Sequence, residues 1–323
     1  MASYKFKDAY IYDFYSIAGP LESKGLIKKY DYCLNDYYFG EKTFEMAEVK
    51  MQQTVIDKLL FNNDLTDEYI DLIVGGDLLN QIVATTYNSK KYNIPLLGVY
   101  SACATFVESL IVGSNFISNK MGHNVIAITS SHNLTAEKQF RYPIEYGGIK
   151  YPTNTFTSTG SAGAILSNKG KIKIESATIG KVIDMGIKDA NHMGAVMAPA
   201  AADTISRHLS DLKRDINYYD LILTGDLGLI GVDILKEYLN KVYNIKLKKH
   251  MDSGCEIFSQ EQDVNAGASG PVALPLVLFN KVLKSSKYKK ILIVGTGSLH
   301  NTTLVNQKNS IPAIAHAVSL EVL

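Results

Sequence analysis

A seven-residue motif occurs twice in this chain, half a chain length apart. Residues 71–77 read Asp-Leu-Ile-Val-Gly-Gly-Asp and residues 220–226 read Asp-Leu-Ile-Leu-Thr-Gly-Asp, so that five of the seven positions are identical. Each copy follows a segment in which apolar residues recur with the spacing of one helix face. Because the repeat is far longer than the units of solenoid proteins, it indicates duplication of a whole half of the chain.

Two apolar runs further along the chain support the duplication. Residues 125–128 lead into Ser-His-Asn at 131–133, and residues 291–294 lead into Ser-Leu-His-Asn at 298–301. Each run is preceded by an apolar helical segment of similar length, at 104–119 and at 270–284. Alternation of helices with almost continuously apolar strands is typical of α/β proteins whose mostly parallel sheets are covered on both faces.

The fold predicted from this duplication is a layered sandwich of two α/β halves with mostly parallel sheets. The first half spans residues 1–168 and the second spans residues 169–323, with the join at the polar turn Ser167–Gly170. The helices at 104–119 and 270–284 are apolar all round. We therefore expect them to lie between sheets, in one core that both halves share.

Composition and charge exclude several classes of protein. A net charge of +1 gives no electrostatic reason to expect binding to nucleic acid or to an anionic membrane surface. Three cysteines, Cys33, Cys103 and Cys255, are too few for a disulfide framework. The first residues lack the apolar core of a signal peptide, and no apolar run is long enough to span a bilayer. No motif predicts a cofactor or a metal ion.

Cys103 follows a predicted strand and a few small residues, and it opens an apolar helix. Unpaired N–H groups and the helix dipole at such an end favour a thiolate. The small neighbours Ser101, Ala102 and Ala104 leave room for a substrate, which is a common construction for a nucleophilic cysteine. The same pattern also fits a small buried residue that only fills space.

A cluster of polar residues follows the first of the two apolar runs. Ser131, His132, Asn133 and Arg141 together offer a hydroxyl, an imidazole, an amide and a guanidinium. These groups can bind a small anion through directed and charge-assisted hydrogen bonds. Two alternatives stay open, since Arg141 could pair with Glu137 four residues earlier on a helix and His132 could orient its own loop.

Asp77 and Asp226 end the two copies of the repeated motif. A carboxylate directly after a strand commonly accepts hydrogen bonds from the first turn of the next helix, so we expect both to be helix caps. We expect His300 and His316 to be structural.

Two similar α/β halves with a cysteine at the start of a buried helix resemble the thiolase fold. In the condensing enzymes of that superfamily, the cysteine works with residues of the second half, commonly His and Asn or a second His and Cys. The loop Asn265–Gly270 resembles the asparagine-containing loop of the ketoacyl-synthase branch, which implies that Asn265 faces Cys103. However, no histidine follows the second-half strand, where the sequence reads Thr-Gly-Asp-Leu-Gly at 224–228. Without that base, a condensation reaction lacks a group to polarise a thioester carbonyl.

Longer motifs resemble the stage V sporulation protein AD family. They extend over essentially the whole chain and include residues 39–48, 76–81, 130–143, 197–205 and 311–316. The resemblance implies a role in spore formation, because family members bind dipicolinic acid (pyridine-2,6-dicarboxylate) and support its movement into the forespore with membrane-embedded partners from the same operon. The chain departs from the family after Ser269, where members tend to carry a cysteine- and glycine-rich run.

From these observations we expect a non-catalytic dipicolinate-binding protein. Arg141 would bind one carboxylate, and the polar residues at 131–133 would bind the other, with Cys103 as a wall of the pocket and Asn265 beside it. The resemblance further implies a homodimer on the cytoplasmic face of the spore inner membrane. Two alternatives stay open: an acyl-thioester transferase or condensing enzyme that uses Cys103, and a scaffold with a vestigial pocket.

Overall fold

The structure is a computed structural model that describes residues 2–140 and 150–323. The strands of the first half are β1 (Ser3–Lys5), β2 (Tyr10–Ala18), β3 (Tyr32–Cys33), β4 (Leu72–Gly76), β5 (Leu96–Gly98), β6 (Asn124–Ser131), β7 (Phe156–Thr157) and β8 (Gly160–Ser167). Those of the second half are β9 (Ile172–Thr178), β10 (Leu221–Thr224), β11 (His250–Asp252), β12 (Ala268–Ser269), β13 (Lys290–Ser298) and β14 (Ala313–Val322). All belong to one large sheet except β7 and β12, which pair with each other.

The two halves have the same strand order. The first half runs β5-β4-β6-β8-β2 across the sheet, and the second half runs β11-β10-β13-β14-β9. In each set of five, four strands point the same way and one, β8 or β14, is antiparallel to its neighbours. The sets join where β2 pairs with β9 over two residues. The predicted sandwich of two duplicated α/β halves with mostly parallel strands is therefore confirmed.

Helices cover both faces of each set of strands. They are α1 (Phe44–Asn62), α2 (Val83–Ser89), α3 (Thr105–Ser118), α4 (Asn133–Phe140), α5 (Met193–Leu212), α6 (Gly228–Tyr243), α7 (Ser253–Glu256), α8 (Ala273–Val277) and α9 (Thr302–Asn306). The helical segment that starts as α8 continues to Ser285 as a π turn and a 3-10 turn. No helix among the described residues combines the length and the apolar character needed to cross a bilayer.

The strands are apolar at nearly every position because helices pack on both of their faces. In β6, the side chains of Ile126 and Ile128 belong to the cluster formed with α1, whereas Val125 and Ala127 belong to the central cluster formed with α3. The central cluster also contains Phe106 of α3 and Phe279 of the α8 segment, whose rings meet edge to face at 5.7 Å. The two halves thus share one core, as the apolar helices predict.

Candidate binding site

Residues from both halves meet around the side chain of Cys103. They enclose a cavity of about 30 Å³ lined by Leu78, Tyr100, Ala102, Cys103, Ala136, Phe140, Thr157, Met193, Ser269, Ser298 and His300. This cavity adjoins a groove of about 580 Å³ that shares Leu78, Tyr100, Phe140 and His300 with it. The cavity has room for about one water molecule. The groove is of the size in which proteins bind small organic molecules.

A strained turn presents Cys103 to the cavity. Ala102 has a left-handed backbone with φ of +49°, which is costly for a residue that has a Cβ atom. A 3-10 turn covers Ala102–Ala104, and α3 begins at Thr105, so the helix starts slightly later than predicted. The hydroxyl of Thr105 stabilises the turn, because it donates to the carbonyl of Ala102 at 2.6 Å and accepts from the N–H of Ser101 at 3.1 Å.

The second-half strand β13 passes directly behind this turn at Gly297. A Cβ atom on Gly297 would lie 2.2 Å from the carbonyl oxygen of Ser101 and 3.3 Å from the nitrogen of Ala104. Only a residue without a side chain permits so close an approach of two backbones. Gly297 therefore sets how the two halves fit together at Cys103.

Asp226, which follows β10, reaches Cys103 from the second half. Its fully buried carboxyl group is hydrogen-bonded to the Cys103 thiol, and it accepts from the Thr296 hydroxyl at 2.8 Å and from the N–H of Gly270 at 3.0 Å. Burial is the main cause that raises the pKa of Asp226 to about 7, although these hydrogen bonds lower it. The group beside Cys103 is thus a carboxyl group, which is either neutral or anionic. It cannot stabilise a thiolate by charge attraction, as a protonated histidine would.

The expectation that Asp226 caps a helix is wrong, whereas the same expectation for Asp77 is confirmed. The N-terminus of α6 is capped by Asp252, which accepts from the N–H groups of Leu227 and Gly228 at 3.2 and 3.0 Å. Asp77 accepts from the N–H of Thr85, in the first turn of α2, at 2.8 Å. The equivalent aspartates differ because the second half has Asp252 available for its helix, which leaves Asp226 to bind Cys103.

A second buried carboxyl group lies beneath the polar cluster of the first half. Glu48 of α1 accepts from the hydroxyls of Ser130 and Thr135 at 2.9 and 3.0 Å. Gln52 links this group to the loop braced by Asp77, because its amide donates to Ser130 at 2.8 Å and to the Asp77-bound Thr85 at 3.0 Å. Burial and, to a lesser degree, the charge of Asp77 raise the pKa of Glu48 to about 8.

The three predicted ligand-binding residues at the end of β6, residues 131–133, are buried and do not line the Cys103 cavity. Ser131 donates to the carbonyl of Ser158 at 2.7 Å, and the backbone N–H of Asn133 donates to Thr159 at 3.0 Å. The side-chain amide nitrogen of Asn133 has no hydrogen-bond partner in the part of the chain that the structure describes. Of the three residues, Asn133 is therefore the one whose side-chain N–H groups are available to bind a ligand.

His132 is committed to its own surroundings at both ring nitrogens. Its Nδ1 accepts from the N–H of Leu134 at 3.2 Å, so the proton is on Nε2, which donates to the carbonyl of Tyr37 at 2.8 Å. The ring stacks on Phe44 at 5.2 Å. Burial lowers the pKa of His132, which keeps the ring neutral. The alternative in which His132 orients its loop fits this geometry.

Neither Arg141 nor Asn265, the other two predicted ligand-binding residues, is seen among the described residues that line the cavity. Arg141 lies outside the described residues, and it follows Phe140 directly in the chain. Asn265 is exposed and lines a separate groove of about 660 Å³ with Leu229 and Cys255. The structure therefore places Asn265 in a groove whose lining does not include Cys103. The backbone of its loop is left-handed at this residue (φ of +56°).

Sequence reasoning missed the groups that form the cavity wall opposite Cys103. Ser269, Ser298 and His300 come from the second half, and the aromatic ring of Tyr100 comes from the first. The internal repeat carried the signal for them. When the two halves are aligned by the repeat, residues 298–301 correspond to residues 131–133. Ser269 then corresponds to the position of Cys103.

Comparison with known proteins decides the family of this chain. The family described as stage V sporulation protein AD (SpoVAD) matches residues 2–321. The chain belongs to this family. Stage V sporulation protein AD of Bacillus subtilis (strain 168) is 43% identical over 309 residues, which cover 94% of this chain and 91% of the relative. Membership supports a role in sporulation.

Solved structures confirm the thiolase-like fold. The 3-oxoacyl-[acyl-carrier-protein] synthase III from Aquifex aeolicus VF5 has a TM-score of 0.56 at 13% identity, over 97% of this chain and 99% of that chain. An OleA variant from Xanthomonas campestris has a TM-score of 0.63 at 12% identity, over 98% of this chain and 99% of that chain. Similarity at this level of identity shows a shared fold and carries no activity with it.

Proposed function

We propose that this protein binds dipicolinate reversibly in the groove beside Cys103, without chemical change, and thereby supports its uptake into the forespore. Membership of the sporulation family supports the role, and the groove supports the mode of binding. Tyr100 and Phe140 offer aromatic surfaces at the point where the groove meets the cavity. A flat aromatic ligand needs such a surface together with donors for its two carboxylates.

Polar groups on the groove wall meet the second requirement. Gln81, Asn301 and Thr303 line the groove, and His300 lies where it opens into the cavity. Arg141 follows Phe140 in the chain and would supply a bidentate, charge-assisted contact to one carboxylate. Several such contacts offset the loss of ligand freedom and support an affinity in the micromolar range, about −8 kcal/mol.

The observation that carries the non-catalytic part of the proposal is the position of Asp226. A neighbouring base or cation activates a nucleophilic cysteine, because it stabilises the thiolate. Here the Cys103 thiol is hydrogen-bonded to a buried carboxyl group, which opposes a second negative charge. Asp226 therefore cannot stabilise a Cys103 thiolate by charge attraction, as a cationic histidine would, whereas binding of a ligand in the groove needs no thiolate.

Calorimetric titration tests this function. Dipicolinate should bind with saturable heat and a Kd of about 1–50 μM, and benzoate, with one carboxylate, should bind at least about tenfold more weakly. Arg141→Gln should weaken dipicolinate binding at least about tenfold, because a charge-assisted contact is lost. Arg207→Gln is the matched control, since Arg207 pairs with Asp203 on the surface of α5, and it should leave the Kd unchanged.

Two outcomes would contradict the proposal. The first is absence of saturable binding up to about 1 mM dipicolinate, by heat and by equilibrium dialysis, which corresponds to a binding free energy weaker than about −4 kcal/mol. The second is a stable mass increase on Cys103 after incubation with acyl-CoA thioesters, lost in Cys103→Ala, which would establish acyl transfer instead. Titrations with and without Ca²⁺ would also separate the free acid from its calcium chelate as the ligand.

We further propose a homodimer, located at the membrane with membrane-embedded sporulation proteins of the same operon as partners. The edge strand β5 supports the dimer, because Leu97 and Tyr100, within and just beyond it, are 40% and 44% exposed and its outer backbone groups are available for pairing. Sedimentation equilibrium should give twice the chain mass, and Leu97→Lys should shift the protein toward monomer. A monomeric native protein would refute the proposed dimer.

A further inference from the structure

The segments that precede three neighbouring strands of the second half carry an excess of positive charge. Residues 213–220, 244–249 and 284–289 lead into β10, β11 and β13, which are adjacent and parallel. Their starting ends therefore lie at the same edge of the sheet. The three segments contain eight Lys or Arg residues and two Asp residues. The net charge of +1 for the whole chain conceals this concentration.

The duplicated first half provides an internal comparison. Its equivalent segments, residues 63–71, 90–95 and 119–123, lead into β4, β5 and β6. They contain three Lys residues and four acidic residues. The same structural edge is thus slightly acidic in one half and strongly basic in the other. The basic character is specific to the second half and is not a requirement of the fold.

Two of the basic segments, residues 213–220 and 244–249, contribute to the lining of a surface groove of about 680 Å³. Lys213 lies at the C-terminal end of α5, and Lys246 and Lys248 follow α6 on the opposite wall. All three are exposed, and none forms a salt bridge with an acidic side chain among residues 2–140 and 150–323. Arg214 completes the lining but is already paired with Glu175.

The two aspartates of these segments form no salt bridge with the groove lysines Lys213, Lys246 and Lys248 among the described residues. Asp215 accepts from the N–H of Asn217 at 2.8 Å, and Asp220 accepts from the N–H groups of Lys289 and Lys290 at 3.0 and 2.9 Å. Of the eight cations, Arg214 and Lys284 pair with Glu175 and Asp31, and Lys249 donates to the carbonyl of Tyr219. Within the groove, the exposed ammonium groups of Lys213, Lys246 and Lys248 are the ones that an external partner can reach. Tyr218, in the same edge, is 37% exposed and adds an amphipathic ring.

We propose that this lysine-rich edge docks on the surface of an anionic phospholipid bilayer. Exposed lysines spread over three segments match a plane of diffuse negative charge, to which juxtamembrane polybasic segments are attracted. The groove that Lys213 and Lys246 line has a volume of about 680 Å³, which is of the size in which proteins bind small organic groups such as a phospholipid head group. This inference names the surface behind the membrane location proposed above, and it does not depend on dipicolinate binding.

Docking by this edge leaves the ligand groove accessible. The lysines precede β10, β11 and β13, whereas Asp226 follows β10, and Ser298 and His300 lie at and just beyond the end of β13. β13 has nine residues and spans about 25 Å. The second-half wall of the Cys103 cavity therefore lies about 25 Å from the lipid surface, on the side away from it.

Vesicle sedimentation with the full-length protein tests the inference. The native protein should bind vesicles of about 30% phosphatidylglycerol in phosphatidylcholine at about 50 mM salt, and about 500 mM salt should release it. The triple variant Lys213→Gln, Lys246→Gln, Lys248→Gln should reduce the partition coefficient at least about tenfold. The matched control Lys58→Gln, Lys90→Gln, Lys120→Gln removes three exposed first-half lysines and should change it less than about twofold.

Three results would overturn the inference. They are equal loss of binding in the control variant, equal binding of the native protein to pure phosphatidylcholine, and tighter binding to a DNA duplex than to the anionic vesicles. Calorimetry on the same lysine variant separates this inference from the proposed function, because its Kd for dipicolinate should be unchanged. A lysine variant that keeps native vesicle binding would also refute the docking surface.

Discussion

Gly297→Ala should lower the free energy of unfolding by about 3 kcal/mol, a large fraction of the stability of an ordinary domain. The added methyl group would lie 2.2 Å from the carbonyl oxygen of Ser101, and a backbone atom cannot rotate out of the way. Either β13 or the Cys103 turn must therefore move. Since the turn forms one wall of the cavity, we also expect dipicolinate binding to weaken at least about tenfold. Urea unfolding and calorimetry measure the two effects.

Gly122→Ala is the matched control for this substitution. A Cβ atom there would lie 3.2 Å from the Cβ atom of Asp71, which is the nearest of its neighbours, so a shift of a few tenths of an ångström is enough to accommodate it. The expected loss is under about 1 kcal/mol, with unchanged ligand binding. If Gly297→Ala were as mild as Gly122→Ala, the close approach of the two halves at Ser101 would be refuted.

Stability should fall by about 2.5 kcal/mol as the pH rises from 6.5 to 8.5. Burial is the main cause that raises the pKa of Glu22 to about 7, Glu48 to about 8 and Asp226 to about 7. In the unfolded chain these groups ionise near pH 4. The folded state therefore binds more protons across this window, and the sign of the linkage makes stability decrease with increasing pH.

Buried histidines set the lower limit of that window. Burial lowers the pKa of His208 to about 3 and of His250 and His316 to about 4. Unfolded histidines titrate near pH 6.5, so below this pH the unfolded state binds more protons at these sites, and stability is lost as the pH falls. The histidines thus oppose the carboxyl groups most strongly below pH 6.5, and between pH 6.5 and 7.5 they still offset about 1 kcal/mol of the roughly 3.5 kcal/mol that the carboxyl groups cost up to pH 8.5. We expect maximal stability at or slightly below pH 6.5.

Glu48→Gln should remove about half of the loss between pH 6.5 and 8.5, because Glu48 has the highest pKa of the three carboxyl groups. The amide is nearly isosteric and keeps an acceptor for Ser130. Glu237→Gln is the control, since Glu237 is exposed and its pKa is lowered by Lys241, far from this window. Urea unfolding at several pH values measures the slope. A flat curve above pH 6.5 in the native protein would contradict the assigned protonation of these buried groups.

The sequence repeat was sufficient to predict the duplicated fold. Two copies of one motif placed β4 and β10 in equivalent positions, and the apolar runs placed β6 and β13 beside them. Strand pairing in such a fold follows from local patterns that repeat, because each apolar strand must be covered on both faces. The strands β8 and β14, which are antiparallel to their neighbours, contain no repeated motif. Their positions in the sheet are known only from the tertiary structure.

The candidate site was predicted less completely. Cys103 was placed at a helix start within two residues, and the helix does bring it to a cavity. The role of Asp226 was missed, because a carboxylate after a strand looks the same in sequence whether it caps a helix or crosses to the other half. Asn265 was placed at the site by its loop pattern, but a left-handed turn directs it elsewhere.

By itself, the sequence determined the duplicated α/β architecture, the family and the helix that starts near Cys103, because these depend on periodic burial and on local motifs. Only the tertiary structure decided that Asp226 binds the Cys103 thiol and that lysines from three separate segments meet at one edge. Both depend on contacts between residues far apart in the chain. Such contacts are set by how closely the halves pack, at positions such as Gly297, and local sequence does not encode that distance.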